Sequence, residues 1–171
     1  MKTLIAYATK HGTTEKCALM LTGKLKGTVE TCNLMKNAAP NPAEYDRIII
    51  GGSIYAGRIQ KEVTEFCSRN LEELKNKELG LFICCMFIDK GEEQLNNSFP
   101  RELLDIASVK ESFGGEMRYS SMSFLEKSLT RMVLKSAAKT DKNLVGINVK
   151  EDFSLLSIEN IDKFSARFNN A

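Results

Sequence analysis

The sequence has no tryptophan, a single histidine, only three prolines and no Cys-x-x-Cys pair. Protein zinc sites draw on paired thiolates at ligand spacing, often with histidines. Five cysteines without such a pair, with His11 as the only imidazole, therefore predict no metal centre. Cys17, Cys32, Cys67, Cys84 and Cys85 read instead as buried, reduced thiols of a cytosolic protein. Cys84 and Cys85 are adjacent, and vicinal cysteines strain to bridge. An excess of either charge is also missing. Lys plus Arg number 24 against 22 Asp plus Glu, a net charge of +2, so composition announces no nucleic-acid partner. Long apolar runs are absent too. The longest, Leu79 to Ile88, is far short of the roughly 20 residues of a spanning helix. No apolar stretch follows Met1-Lys2 that is long enough for a signal peptide. The expectation is a cytoplasmic protein.

What is present is globular. The 171 residues, 43% apolar and 27% charged, suit a single domain over 1–171, since domains run to about 150 residues. Short apolar runs alternate with amphipathic stretches. Thr3–Ala8 opens the chain, and a helical pattern with Cys17, Leu21 and Leu25 runs to Lys26, closed by Gly27. Thr28–Cys32 alternates as a strand, Pro40 and Pro42 mark a loop, and Arg47–Ile50 is a β-branched run before Gly51-Gly52. Gln60–Lys75 is helical, Gly80–Cys85 is a buried strand, and a weaker helical stretch broken by Pro100 reaches Ala107. Phe113–Tyr119 reads as a fifth strand, and Ser123–Ala138 and Ile158–Phe168 read as helices. Continuous apolar strands separated by helices mean a parallel sheet covered on both faces. The stretch from about 120 to 157 is too long for a plain connection and reads as an insertion.

The first loop discriminates among nucleotide folds. No GxxxxGK[ST] or GxGxxG occurs after the first strand, and Ala8-Thr9 stand where a response regulator would carry paired acids. Thr9-Lys10-His11-Gly12-Thr13-Thr14 stands there instead, opening a helix. Unpaired amides and the helix dipole make such an end an anion site, and glycine lets a ligand approach the backbone. An ordinary N-cap with neighbouring hydroxyls accounts for the same residues.

This loop resembles the FMN phosphate loop of the flavodoxin family. The resemblance implies a doubly wound five-stranded parallel sheet of order 2-1-3-4-5, with a helical insertion after strand five. It implies that the isoalloxazine ring lies between the loops after strands three and four, here Ser53-Ile54-Tyr55-Ala56-Gly57 and Met86-Phe87-Ile88-Asp89, at the carboxyl ends of the strands. In that reading Tyr55 stacks on the ring, Met86, Phe87 and Ile88 line its other side, Gly57 lets a peptide beside the flavin change conformation, and Asp89 stands near the polar edge. The alternatives are a surface-loop tyrosine at 55, plain core packing for Met86, Phe87 and Ile88, and the start of the next helix at Asp89. Arg118 and Tyr119 end strand five, at the ring's outer edge, as candidates for substrate or flavin contact; a solvated strand end is the alternative. The segments Gly51–Gly57 and Gly115–Tyr119 are similar to those of the flavodoxin-type, quinone-dependent protoporphyrinogen oxidases, which pass electrons from protoporphyrinogen IX through FMN to a membrane quinone. The resemblance covers most of residues 1 to 138. It implies an FMN-dependent dehydrogenase with a quinone acceptor. A flavodoxin-type electron carrier between protein partners stands as the alternative.

The insertion departs from that subfamily, which is rich there in aromatics and arginine; here Ser120-Ser121-Met122-Ser123-Phe124 is plain. Residues 118 to 142 hold six basic and two acidic side chains, a net +4 that leaves the rest of the chain at −2. Ser123 and Glu126 have capping-box spacing. Lys127, Arg131 and Lys135 form one stripe, and Phe124, Leu125, Leu129, Met132 and Val133 form an apolar side. A basic amphipathic helix suits an anionic membrane surface or an acidic partner, which predicts peripheral contact at the inner face of the membrane. Lys127, Arg131 and Lys135 also suit the propionates of a porphyrinogen substrate. Packing of the apolar side on the core, with the charges merely solvated, is the alternative.

Overall fold

The computed structural model describes residues 1–137, 148 and 150–171. Five parallel strands build the sheet: β1 (Lys2–Ala8), β2 (Thr28–Asn33), β3 (Arg47–Tyr55), β5 (Glu78–Cys84) and β6 (Val109–Ser112), in the order β2-β1-β3-β5-β6. The two-residue strand β4 (Arg58–Ile59) folds back antiparallel on the end of β3. The chain leaves β1 toward β2 and then crosses to β3 on the other side. This reversal opens a crevice at the carboxyl ends of β1 and β3, the usual ligand position of open α/β sheets.

The alternating faces of each strand feed two cores. Leu4, Ala6, Ile48, Ile50, Leu79, Leu81 and Ile83 face one way. They pack under α2 (Lys61–Arg69), α3 (Leu71–Leu74), α4 (Gly91–Ser98) and α5 (Arg101–Ile106). Ile5, Tyr7, Ile49 and Phe82 face the other way, under α1 (Thr13–Thr22) and α7 (Ile158–Phe168). There Phe82, Phe113, Phe164 and Phe168 form a chain of ring contacts with centroids 4.7 to 6.3 Å apart.

Several elements differ from the expectations, each for a local reason. β3 continues through Gly51 and Gly52 to Tyr55. These glycines are spaces in the strand rather than its end: a β-carbon on Gly51 would fall 2.1 Å from the Phe82 ring, and one on Gly52 2.5 Å from Ile59. α1 ends at Thr22 on Gly23, earlier than Lys26. The Gln60–Lys75 helix is two helices broken at Asn70, whose side-chain amide donates to the Phe66 carbonyl at 2.9 Å. The fifth parallel strand is Val109–Ser112, not Phe113–Tyr119. Gly114, at φ 75°, has the Leu155 carbonyl pressed against its α-carbon, where a β-carbon would fall 2.0 Å from that oxygen. The strand turns there, and Glu116–Met117 (β7) instead pairs antiparallel with Phe153–Ser154 (β8).

The insertion lies between β7 and β8 and carries α6 (Phe124–Ala137). Ala138, Lys139, Asp141 and Lys142, which belong to the predicted helix end and basic segment, lie outside the described residues. All five cysteines are buried, and none is in a disulfide. The close pair is Cys17 and Cys84, with sulfurs 3.5 Å apart, not the adjacent Cys84 and Cys85. The contact with Cys17 and burial hold the Cys84 thiol well above its ordinary pKa.

Candidate functional site

The loop from β1 to α1 is organised by its first threonine. Thr9 Oγ1 accepts the Gly12 amide at 3.0 Å, which turns the chain so that Gly12 takes φ 89° at the N-cap of α1. Only glycine adopts that conformation without cost. No side chain caps α1, so the amides of its first turn keep the outward donor capacity that every helix start has. Thr14 is fully buried, and its Oγ1 makes no hydrogen bond of ordinary geometry, although it lies near enough to the Cys84 sulfur to favour the thiolate slightly. Thr13 is also buried, while Lys10 is exposed and His11 half-buried.

The loop after β3 meets this one. Ile54 pairs with Ile59 and Tyr55 with Arg58, so Ala56 and Gly57 are the two centre residues of a tight hairpin. Both have positive φ, 50° and 76°, as a type I′ turn requires. For alanine this conformation costs roughly 1–2 kcal/mol. Gln60 staples the hairpin by accepting from the Ser53 amide at 2.9 Å and donating to Ser53 Oγ at 2.7 Å. The hairpin brings Tyr55 beside the first loop: Lys10 Nζ lies 3.8 Å from the Tyr55 ring centroid, and the His11 ring is 6.2 Å from it.

The insertion closes over the same place. Glu126, from the first turn of α6, takes Lys10 Nζ at 2.7 Å, lies 3.8 Å from His11 Nε2 and accepts the Tyr55 hydroxyl at 3.4 Å. Its other carboxylate oxygen takes the Ser123 amide at 3.0 Å and hydroxyl at 2.8 Å, the capping box read from sequence. Bonds from Lys10 and Ser123 hold the Glu126 carboxyl down at about 2. Lys10 is correspondingly raised by Glu126. Burial lowers the His11 imidazole more than Glu126 raises it, and Lys10 and Arg118 lower it further, so its pKa lies below the ordinary value.

Arg118 also reaches the first loop. A β-carbon built on Gly12 would lie 3.4 Å from Arg118 Nη1 and 3.8 Å from Cζ, so the guanidinium covers the bare α-carbon rather than standing apart at the end of a strand. Arg118 Nη2 is 3.5 Å from Glu116 Oε2, and Glu116 Oε1 is held by Lys16 at 2.5 Å. Burial is the largest influence on the Glu116 carboxyl and pushes it up, but the Lys16 ion pair, the Ser154 hydroxyl and the Arg118 charge together outweigh it and the net shift is down.

Other predicted site residues lie elsewhere. Met86 and Phe87 pack with Met117, Met122, Leu134 and Phe153 beneath the insertion, Ile88 is exposed, and Asp89 lies in the single turn Ile88–Lys90. Tyr119 faces α6: its hydroxyl accepts from Arg131 Nη2 at 2.5 Å, and Lys127 Nζ lies 5.2 Å from its ring. The basic stripe is thus divided, with Lys127 and Arg131 turned inward and only Lys135 exposed. The apolar side of α6 is turned outward instead. Phe124 is 90% exposed, Leu125 69% and Met132 64%, with Leu129 and Val133 about half exposed, while Leu134 alone of its described apolar residues is buried. Glu126 on Lys10, Arg118 over Gly12 and Gln60 on Ser53 were not foreseen. Only Glu126 left a trace in the sequence, as a capping residue.

The comparisons agree with this geometry. The profile of the flavodoxin domain family matches residues 4–143. The chain is 25% identical over 151 residues, 82% of its length and 83% of the relative's, to a protein of Escherichia coli K12 named protoporphyrinogen IX dehydrogenase [quinone]. Among solved structures, a flavodoxin of Streptococcus pneumoniae TIGR4 superposes with a TM-score of 0.53 at 17% identity, covering 99% of both chains. Rubredoxin oxygen:oxidoreductase of Desulfovibrio gigas superposes with a TM-score of 0.50 at 15% identity, over 85% of this chain and 37% of that one. With a profile match over most of its length and a sheet of the expected strand order, the chain belongs to the flavodoxin domain family.

Proposed function

We propose that this protein is an FMN-dependent oxidoreductase of the kind its Escherichia coli relative is named for, taking electrons from a porphyrinogen-like donor and delivering them to a quinone. The observation that carries the reading is the meeting of the uncapped start of α1 with the Tyr55 hairpin at the crevice between β1 and β3. The residues present fit the group. The first-turn amides and the left-handed Gly12 suit a terminal phosphate, with the buried Thr14 hydroxyl, free of any hydrogen bond of ordinary geometry, in the same turn. Thr9, Lys10, His11 and Thr13 complete that loop. Ser53, Ile54, Tyr55, Ala56 and Gly57 are the residues assigned to one side of the ring. Met86, Phe87, Ile88 and Asp89 are assigned to its other side by the family resemblance alone, since Met86 and Phe87 pack beneath the insertion. Bound flavin supplies the hydride and single-electron chemistry. The protein binds and orients it: Thr9 sets the loop, Gln60 and Ser53 hold the strained hairpin, and Tyr55 presents an aromatic face. An electron carrier serving protein partners is the second reading, since a site of this kind serves either role.

Contact with a membrane quinone pool is assigned to α6. Its outward residues Phe124, Leu125, Leu129, Met132 and Val133 make an apolar face, with Lys135 beside it, and that combination suits the interfacial layer of an anionic bilayer.

Purified protein titrated with FMN, FAD and riboflavin, then assayed without oxygen with protoporphyrinogen IX and a menaquinone analogue, tests the reading. Tight FMN binding with quinone-dependent turnover is the expected result. FMN binding without turnover moves the carrier reading ahead, and absence of flavin binding removes both. The double change Thr9→Val and Thr14→Val weakens FMN more than riboflavin, by about 1.5–3 kcal/mol for each lost charge-assisted bond.

A further inference from the structure

The first loop carries more positive charge than its threonines suggested, and the charge is unevenly committed. Lys10 and His11 turn away toward Glu126 and Tyr55. Arg118 comes from the opposite side, 106 positions along the chain from Gly12, and lies against the loop's one bare α-carbon. Its only ion pair among the described residues is the 3.5 Å contact with Glu116 Oε2, and the other oxygen of the same carboxylate is held by Lys16 at 2.5 Å and by Ser154 Oγ at 3.2 Å, so one negative charge serves two cations. Arg118 is therefore incompletely neutralised. Its side chain is 45% exposed and borders an open cleft of about 540 Å³ along α1, lined by Gly12, Glu15, Lys16, Leu19 and Met20. A guanidinium stays charged at any working pH and offers several N–H donors in a fixed plane, a geometry that matches phosphate oxygens. Beside it stand the uncapped start of α1 and, fully buried in its first turn, the Thr14 hydroxyl, whose polar neighbour is the Cys84 sulfur and which makes no hydrogen bond of ordinary geometry.

We propose that Arg118 is a phosphate-binding residue of this site, laid over Gly12 to supply the fixed positive charge for the terminal phosphate of the flavin mononucleotide. The assignment rests on the cofactor reading above and moves Arg118 from the ring edge to the phosphate end. It also gives the short strand β7 a purpose: the turn at Gly114 that takes Glu116–Met117 out of the main sheet delivers the next residue to the loop. Gly12 is constrained by its left-handed backbone, and the guanidinium lies at van der Waals distance from where its β-carbon would stand.

Equilibrium titration with FMN and with riboflavin, followed by flavin fluorescence, separates the phosphate from the ring. Wild type, Arg118→Gln and Arg118→Lys are compared at low and moderate salt. The expected result is that Arg118→Gln weakens FMN by about tenfold to a hundredfold, the worth of one charge-assisted bond, and leaves riboflavin unchanged. Arg118→Lys restores part of the loss, and the salt dependence of FMN binding flattens in Arg118→Gln. Inorganic phosphate competes with FMN on the wild type and less well on Arg118→Gln. An Arg118→Gln variant that keeps full FMN affinity overturns the inference, and so does one that loses FMN and riboflavin equally, because its role is then structural. In both cases the cofactor reading survives, since the wild type still binds FMN. A wild type that binds neither flavin overturns that reading and this inference with it.

Discussion

The helices α6 and α7 are both amphipathic in sequence, and they sit in opposite senses. α7 buries Ile161, Phe164 and Phe168 against the sheet and leaves its charges in water. α6 buries Leu134 and turns Glu126, Lys127, Thr130 and Arg131 partly inward, while Phe124, Leu125, Leu129, Met132 and Val133 face out. Periodicity alone states that a helix has two faces. What decides which one turns inward is the surface it meets. α7 meets the apolar rings of Phe82 and Phe113. α6 meets the polar rim of the first loop and the Tyr119 ring, where an ammonium or guanidinium finds a partner.

Core truncation tests the contrast most strongly. Phe164→Ala lowers stability by about 3–5 kcal/mol, the usual cost of emptying an aromatic site in a packed core. Phe124→Ala, at the exposed end of α6, changes it by less than about 0.5 kcal/mol. Urea unfolding followed by circular dichroism measures both, and a loss of more than 2 kcal/mol for Phe124→Ala means that α6 is packed the other way round.

The outward face then has its own test. Transfer of a Phe or Leu side chain out of water is worth roughly 1.5–3 kcal/mol, so the double change Phe124→Ser and Leu125→Ser lowers partition onto phosphatidylglycerol vesicles by at least tenfold. Lys127→Gln with Arg131→Gln changes it much less, because both cations face Tyr119. If the second pair abolishes partition and the first leaves it intact, the basic stripe is the contact after all.

The smallest effect is one of pH. The Glu126 carboxyl, held at about 2, lies below its ordinary value of 4.5. A carboxyl lowered on folding contributes stability above the ordinary value, and that contribution fades as pH falls toward the lowered one. The contact between α6 and the first loop is therefore undiminished at pH 5 and weakens between about 4.5 and 2. Amide hydrogen exchange over 124–134 reads it. Glu126→Gln quickens exchange at pH 7 and removes the acid dependence, whereas α7 is unaffected.

The fold was legible because parallel sheets buried on both faces leave continuous apolar runs, and Leu4–Ala8, Ile48–Ile50 and Leu79–Ile83 are such runs. The place of the first loop was legible too, because an apolar strand, a glycine turn and the start of a helical pattern follow one another there within a few residues. The strand limits were not. Gly51, Gly52 and Gly114 look alike in sequence, yet the first two make room for Phe82 and Ile59 inside a strand, and the third ends one against the Leu155 carbonyl. Long-range charge pairing was equally hidden, since nothing near Arg118 in the chain points to Gly12.

By itself, then, the amino-acid order determined the alternation of strands and helices, the place of the threonine-rich loop after β1, and the capping box that starts α6. Those depend on neighbours within a few residues, where backbone sterics and periodicity act. Only the tertiary structure decided that Glu126 ties α6 to Lys10, that Arg118 lies over Gly12, and that the apolar face of α6 looks outward. Each depends on which surfaces the packed sheet leaves exposed at its carboxyl edge, and charges more than 100 positions apart compete there for the same few partners.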